Sequence, residues 1–496
     1  MSTLYRHGII RTTGGPASAV LVADGRIAWL GTDSADISAD TVVDLNGAYV
    51  LPAFVDGHVH ATATGLALGG LDLTGVPSLA AMLAAVRAHA ERLPRDAVLL
   101  GHGWDESRWT DRRPPTAAEL DVAAGGRPAY LSRTDVHSAV ASTALLREIT
   151  PSSKGFAASG HLTVDAHHAA RAIAYASVTA DQRRAAQRLT LQRAASLGIA
   201  ALHECGGPDI AGEDDFTELL GLAGNEPGPA VFGYWGELGE AAKARELGAI
   251  GAGGDLFADG AIGSHTAALS CDYLDSAGRG HAYLSAEQVR DHVLDCASLG
   301  LSAGFHAIGD AAVGAVVCGF GYAAEKVGAA AIRAGRHRIE HAEMVDDTAI
   351  ARMAELGIIA SVQPAFDAAW GGPAGMYAER LGADRAATLN PFAALHNAGV
   401  RLVLGSDSPV TPIDPWAGVR AAVEHRTAEH GLTWRAAYDA HTRSGWRAVG
   451  QDGGAIAVGA PAHLAMFRAE SDPYGDLQEP PDCVRTLVGG AVIHAA

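Results

Sequence analysis

The sequence predicts an α/β protein: a (β/α)₈ TIM barrel with a small β-sandwich domain formed by both termini and an inserted subdomain. Three observations support this fold class. Eight short apolar runs alternate with alanine-rich helical stretches, which is typical of parallel βα units. Strand patterns occur at both ends of the chain. About 140 residues separate the first two runs, too many for one crossover helix.

The eight runs predict the strands of a barrel domain over 53–454. Each run leads into polar residues, as strands do at the C-terminal face of a barrel enzyme. In chain order they are Phe54-Val55 before His58, Ala200 to Leu202 before His203-Glu204, Ala230 to Phe232 before Trp235, Leu256-Phe257 before Asp259, Leu301 to Phe305 before His306, Arg338-Ile339 before Glu340-His341, Ile358 to Val362 before Gln363, and Leu402 to Leu404 before Ser406-Asp407.

The two ends of the chain predict a small β-sandwich domain over 1–52 and 455–496. Two strands between Ala19 and Leu30 meet at an Asp24-Gly25 turn, a common hairpin signal. Further strand patterns lie at Thr41 to Asp44, His463 to Phe467, Cys483 to Val488 and Val492-Ile493. The excess length after the first barrel run predicts an inserted subdomain over about 70–185.

Composition excludes several classes of protein. The chain is 48% hydrophobic and 19% charged, so it is neither disordered nor collagen-like. Its net charge of −19 would repel nucleic acid and anionic membranes. The five cysteines lack CxxC spacing, which argues for a reducing compartment. With no signal-peptide pattern at the N-terminus, we expect a cytoplasmic protein.

The strongest chemical signal is the pair His58 and His60. Side chains alternate along a strand, so both imidazoles point the same way and suit a divalent metal such as Zn²⁺. An HxH pair alone can also be two unrelated histidines. His306, His341 and Asp407 follow three other predicted strands, where a barrel would bring them together. Four imidazoles and one carboxylate are typical of a hydrolytic metal centre.

Several motifs occur in one order along nearly the whole chain. They are Phe54-Val-Asp-Gly-His-Val-His60, Gly103-Trp104-Asp105, Asp259-Gly260-Ala-Ile-Gly-Ser-His265-Thr-Ala, His306-Ala-Ile-Gly-Asp310, Arg338-Ile-Glu-His341, Gln363-Pro364 and Gly405-Ser-Asp407-Ser-Pro409. This order resembles the amidohydrolase superfamily, and within it the amidohydrolase 3 (YtcJ-like) group. The resemblance implies a metal-binding barrel with a small β-sandwich. It also implies that His58, His60, His306, His341 and Asp407 bind metal.

One position departs from the pattern of that group. Its members often carry a lysine four residues before the Asp-Gly of strand 4, which can be carboxylated to bridge two metals, whereas this chain has Asp255. An aspartate is several bonds shorter, so we expect it not to bridge, and one Zn²⁺ is favoured. Two ions, or another divalent metal, remain the alternative, with Glu204 or Asp259 as the bridging carboxylate.

The resemblance also implies roles in catalysis and substrate binding. Asp407 would take a proton from a metal-activated water and deliver it to the leaving nitrogen. His341 would orient the water or stabilise the oxyanion if one metal binds, and would be a ligand if two bind. Candidate substrate-binding residues are Trp104, Asp105, His137, His265 and Gln363.

The predicted function is hydrolysis of a non-peptide C–N bond in a formamide, amide or cyclic amide. The alternative is a deaminase of a purine, pyrimidine or related ring, although deaminases commonly have glutamate where this chain has Gly309. A barrel that has lost catalysis and serves as a binding protein is a third hypothesis. The expected partner is a small-molecule substrate, not nucleic acid or membrane, and family habit suggests a homodimer.

Overall fold

The computed structural model describes residues 1–12, 15–33, 36–106, 109–133, 138–208, 210–473 and 479–496. Within this part of the chain, two compact units are distinguished. One comprises Met1–His60 with Leu191–Ala496, and the other comprises Ala61–Thr190.

The first unit contains a sheet of eight parallel strands in chain order, which confirms the predicted barrel. Backbone hydrogen bonds join its two ends, since Asp407 N donates to His58 O (2.8 Å) and His60 N donates to Ser408 O (3.0 Å). The first to eighth barrel strands are Phe54–Val59, Ile199–Gly206, Ala230–Trp235, Gly251–Ala252, Ser302–Ala307, Arg338–His341, Ile359–Val362 and Leu402–Leu404.

The fourth barrel strand is not where the sequence predicts it. It lies at Gly251–Ala252, before the predicted Leu256-Phe257. The strand ends at Gly253 (φ 156°) and Gly254 (φ 81°), whose backbone angles residues with a side chain rarely adopt. A Cβ on Gly253 would also lie 2.3 Å from the backbone nitrogen of Gly304. The strand therefore ends after two residues, and Asp255 lies just beyond its C-terminal end.

Helices of the first unit follow the barrel strands and bury their apolar faces against them, as expected for strands buried on both faces. No helix in the described ranges is both long and apolar enough to cross a membrane. The helices are Glu213–Asn225, Ala241–Glu246, Ala286–Leu299, Asp310–Val327, Ala329–Ala334, Asp347–Leu356, Pro364–Trp370, Met376–Leu381, Ala383–Ala386, Phe392–Asn397, Pro415–Val423, Trp434–Ala440 and Arg443–Ala448, with a 3₁₀ turn at Ala428–His430.

Both ends of the chain contribute strands to two further sheets of the first unit. One sheet has four strands and the other six, and apolar side chains from both form one buried cluster between them. In the six-stranded sheet, Tyr49–Pro52 pairs with Ile9–Thr12 on one side and Leu464–Arg468 on the other. The remaining strands are Ser2–Arg6, Gly15–Ala17, Ala19–Ala23, Arg26–Gly31, Thr41–Asp44, Asp482–Val488 and Ala491–Ala495.

The second unit has its own five-stranded sheet and its own hydrophobic clusters. Its strands are Leu71–Asp72, Leu99–Trp104, Ala129–Arg133, Ser138–Ala141 and His161–Thr163. Its helices are Ala61–Gly69, Leu79–Ala90, Ala117–Ala123, Thr143–Leu146 and Val164–Ala176, followed by Ala180–Ser196, which continues into the first unit.

Candidate metal centre

The five predicted metal-binding residues lie together at the C-terminal ends of the barrel strands. His58, His306 and His341 lie on the first, fifth and sixth strands, His60 directly follows the first strand, and Asp407 follows the eighth. All five are buried. The backbone is in the left-handed region at His341 (φ 67°) and Asp407 (φ 53°). Non-glycine residues adopt it only when the surrounding structure holds them there, which is common at functional sites.

A first group of ligand atoms comprises His58, His60, Asp407 and Asp255. Oδ1 of Asp407 lies 3.0 Å from Nε2 of His60 and 3.5 Å from Nε2 of His58. Oδ2 of Asp255 lies 3.2 Å and 3.6 Å from the same two nitrogens. Two imidazole nitrogens and two carboxylate oxygens therefore surround one point.

A second group comprises Asp255, His306 and His341. The other oxygen of Asp255, Oδ1, lies 3.4 Å from Nδ1 of His306 and 3.5 Å from Nε2 of His341. The carboxylate of Asp255 thus contacts both groups, one oxygen toward each. Although an aspartate is shorter than a lysine, both groups lie within reach of its two oxygens. The expectation that Asp255 does not bridge two metals stays a prediction.

The residues fit a divalent cation on two counts. Ligands at about 2.0–2.1 Å from a tetrahedral ion are roughly 3.3 Å from one another, close to the separations given above. Nε2 of His58 and Nε2 of His341 are also buried with no hydrogen-bond partner among the described residues. Buried polar atoms are rarely left in that state, so a ligand that the chain itself does not supply belongs there.

Hydrogen bonds fix the other ring nitrogens of three of the histidines. Nδ1 of His58 lies 2.9 Å from Oε2 of Glu340, and Nδ1 of His60 lies 2.9 Å from the backbone oxygen of Cys205. Nδ1 of His341 lies 2.7 Å from Oε1 of Gln363. An acceptor at Nδ1 holds the ring proton on that atom, and the lone pair of Nε2 is then available to bind a metal.

The charges of the site favour bound positive charge. Burial alone would lower the pKa of His60, but hydrogen bonds to Asp255 and Asp407 and their charges raise it well above its ordinary value. Burial would raise the pKa of Asp255, yet the charge of His58 and a hydrogen bond from His306 hold it well below its ordinary value. A divalent cation would displace the protons that these groups otherwise share.

The two carboxylates considered as bridges in place of Asp255 occupy other positions. Asp259 accepts three backbone hydrogen bonds, from Ile308 (3.0 Å), Gly309 (2.8 Å) and Ala268 (2.8 Å). These bonds tie the loop after the fourth strand to the end of the fifth. Glu204 is buried on the second strand and belongs to none of the described groups of metal-binding side chains.

Two of the predicted substrate-binding residues lie in the second unit. Trp104 is fully buried in its hydrophobic core, and its indole N–H donates to Leu131 O (2.9 Å). Its side chain therefore packs in the core of this unit, and its assignment to substrate binding stays a prediction. Asp105 pairs with Arg133 (2.9 Å) and remains partly exposed.

The other predicted substrate-binding residues are placed as follows. Nε2 of His265 lies 2.9 Å from Asp275, and its ring packs against Tyr273. Gln363 contacts His341 through Oε1, and its Nε2 is buried with no partner within the described ranges. His137 lies outside the described residues.

Sequence reasoning missed a buried carboxyl beside the centre. Burial raises the pKa of Glu343 to about 7, although a hydrogen bond from Tyr377 opposes the shift. Its Oε2 has no hydrogen-bond partner among the described residues. Perturbed carboxyls in such places are candidates for proton transfer. The signal available in the sequence was its position two residues after His341.

Comparisons with known proteins agree with the geometry. The model of the amidohydrolase family matches residues 41–494. The YtcJ protein of Bacillus subtilis, named as an amidohydrolase, is 26% identical over 86% of this chain and 84% of its own length. An N-substituted formamide deformylase of Arthrobacter pascens is 25% identical over 96% of this chain and 94% of its own.

A solved structure resembles nearly the whole chain. It is an uncharacterized metal-dependent hydrolase from Pyrococcus furiosus, with a TM-score of 0.80 and 26% identity, covering 96% of this chain and 100% of that one. The family resemblance predicted from the motifs is thereby confirmed. The chain belongs to the amidohydrolase family.

Proposed function

We propose that this chain hydrolyses a non-peptide C–N bond, in a formamide, amide or cyclic amide, with metal-activated water. The observation that carries the proposal is the carboxylate of Asp255, whose two oxygens lie within 3.6 Å of imidazole nitrogens from two separate ligand groups. A pair of metal sites that share one carboxylate is a common arrangement for hydrolysis.

Zn²⁺ is the proposed metal, and the geometry of Asp255 favours two ions over the single ion that the sequence favours. His58, His60 and Asp407 would hold one ion, His306 and His341 the other, and Asp255 both. A bound Zn²⁺ lowers the pKa of a water toward 7 and polarises a carbonyl. With two ions, His341 acts as a ligand.

Asp407 is the proposed proton carrier. Its carboxylate is buried among the metal-binding histidines, with Oδ1 3.0 Å from Nε2 of His60 and 3.5 Å from Nε2 of His58. The groups around it keep the carboxylate ionised, because the charges of His58 and His60 hold its pKa below the ordinary value against the effect of burial. Asp407 would take a proton from water and pass it to the leaving nitrogen.

An N-substituted formamide is the first substrate class to test. The Arthrobacter relative named as an N-substituted formamide deformylase aligns over nearly the whole of both chains, which supports this choice. Gln363 is the proposed donor to the substrate's carbonyl oxygen through Nε2, which has no hydrogen-bond partner in the described part of the chain. Asp105, His137 and His265 remain proposed contacts to the rest of the substrate.

One observation argues against deamination. A Cβ at Gly309 would lie 2.1 Å from the backbone oxygen of Ala268, so this position accepts no side chain. The glutamate that deaminases commonly carry there has no room in this fold. We therefore place hydrolysis with release of a carboxylate before deamination.

The test combines metal analysis with a substrate screen. The purified protein would be assayed for bound metal, and then incubated with N-formyl, N-acyl and cyclic amide compounds while carboxylate and ammonia release are scored separately. We expect two Zn²⁺ per chain and carboxylate release, with both lost in His58→Ala. His396→Ala, at an exposed histidine on a barrel helix, is the matched control and should keep both.

Two results would overturn the proposal. Ammonia release from an aromatic ring without carboxylate would favour deamination. A wild-type chain that binds no metal would remove metal-dependent hydrolysis altogether. The cytoplasmic location and the homodimer stay predictions, and the small-molecule substrate follows from the family.

A further inference from the structure

A buried ion pair lies inside the barrel beneath the first group of metal-binding residues. Arg338 and Glu340 are two residues apart on the sixth strand, so their side chains point to the same side. Both are fully buried. Nη2 of Arg338 donates to Oε2 of Glu340 (2.7 Å), and Nε donates to Oε1, which makes the pair bidentate.

The other contacts of Arg338 hold it in one position. Its guanidinium donates to Gly57 O on the first strand (2.5 Å) and to Ser361 Oγ on the seventh (2.7 Å). It also contacts Nδ1 of His203 on the second strand (3.0 Å) and lies 4.5 Å from the ring centre of Tyr234 on the third. Arg338 is therefore fixed against four other strands of the barrel.

The fixed carboxylate of Glu340 in turn contacts a metal-binding histidine. Its Oε2 lies 2.9 Å from Nδ1 of His58, while Nε2 of the same ring faces Asp255 and Asp407. We propose that Arg338 and Glu340 are positioning residues for the metal centre: Arg338 fixes Glu340, and Glu340 keeps the proton of His58 on Nδ1 so that Nε2 is always free for a cation. This inference rests on the metal site of the proposed function.

A purely stabilising role explains the pair less well. Replacing a buried ion pair by apolar residues of similar size is often neutral or stabilising, because two charges no longer have to leave water. The effect of the ion pair on metal binding should also be confined to the first group of metal-binding residues. His341 in the second group has a different acceptor, Gln363, so loss of Glu340 should weaken the first group only.

The test measures metal affinity separately from stability. In the double variant Arg338→Met with Glu340→Met, His58 keeps its place but loses its acceptor. Zn²⁺ affinity would be measured by competition with a chromophoric chelator, and thermal unfolding would be measured on the metal-free protein. Ser361→Ala is the matched control, since it removes one contact of Arg338 and leaves the Arg338–Glu340–His58 chain.

We expect one of the two Zn²⁺ ions to bind about 10–100-fold more weakly in the double variant, the usual effect of losing such a partner. The second ion should bind as in the wild type, and the metal-free protein should unfold at a similar temperature. Ser361→Ala should leave both affinities unchanged. If the double variant does not fold, Glu340→Gln, which keeps the shape of the side chain, should weaken the same ion by about tenfold.

Unchanged affinity in the folded variant would overturn the inference. So would parallel losses of both ions and of metal-free stability, which a structural role predicts. A wild-type chain that binds two ions but hydrolyses no C–N bond would remove the proposed function and leave this inference standing. A wild-type chain that binds no Zn²⁺ would remove both.

Discussion

Replacing Asp259 by asparagine should weaken the fold and leave the metal centre in place. The carboxylate is fully buried and accepts backbone N–H bonds from Ala268 and Gly309 through Oδ2 and from Ile308 through Oδ1. An asparagine can present its single oxygen to only one side. One or two buried N–H groups then lose their acceptor, and each costs about 1–3 kcal/mol. We therefore expect a loss of about 1–6 kcal/mol in the free energy of unfolding.

Asp255→Asn is the matched control, four residues away. No backbone N–H in the described ranges donates to Asp255, whose neighbours are the imidazoles of the two ligand groups. This variant should lose Zn²⁺, and its metal-free form should lose less stability than Asp259→Asn, because it leaves no backbone N–H of the described residues without an acceptor. Urea unfolding of both metal-free variants, together with Zn²⁺ content measured well below the unfolding temperature, separates the two roles.

The opposite pattern would refute this reasoning. If Asp259→Asn unfolds like the wild type yet fails to retain Zn²⁺, then Asp259 is a metal ligand and its three backbone bonds contribute little. If Asp255→Asn retains both ions, the contacts of Asp255 with the two groups do not reflect metal binding.

Three further predictions concern turnover, packing and pH. Asp407→Asn should lower kcat by about 10²–10⁴-fold, the usual contribution of a positioned acid or base, with the circular dichroism spectrum unchanged; near-normal kcat would remove its proton-transfer role. Trp104→Ala should destabilise the second unit by about 3–5 kcal/mol, measured by limited proteolysis at increasing urea, because a buried indole is lost; a change in KM alone would instead support substrate contact. Burial lowers the pKa of His337 to about 4, and its Nδ1 accepts from Ala303 N, so the fold favours the neutral ring. The contribution of the neutral ring to the free energy of unfolding should be complete above pH 6.5 and should be lost as the pH falls through 4, by about 3 kcal/mol in total. The free energy of unfolding should depend less on pH in His337→Gln, and equal pH dependence in both proteins would contradict this.

Much of the barrel could be predicted because its signals are local. Apolar runs that end in polar residues mark parallel strands, and the period of two along Phe54–Val59 places His58 and His60 on one side. The sequence predicted seven of the eight strand positions closely for this reason. It failed at the fourth strand, where Gly253 and Gly254 end the strand after two residues and the following apolar pair lies beyond it.

The reach of a side chain depends on the backbone path, which a sequence does not display. Asp255 was judged by its length against a lysine, whereas its position is set by the turn that precedes it. Trp104 is a predicted substrate-binding residue because its motif resembles that of the family. The pairing of its strand with Ala129–Arg133 turns it into the core instead. Both cases depend on tertiary position, not on residue type.

The most direct test is a crystal structure of the protein with Zn²⁺, in which an anomalous difference map shows the number of bound ions. We expect two peaks of anomalous density, one on either side of Asp255, each about 2.0–2.2 Å from one of its carboxylate oxygens. A single peak within the four histidines, with the Asp255 side chain turned away from it, would contradict the shared carboxylate on which the account depends.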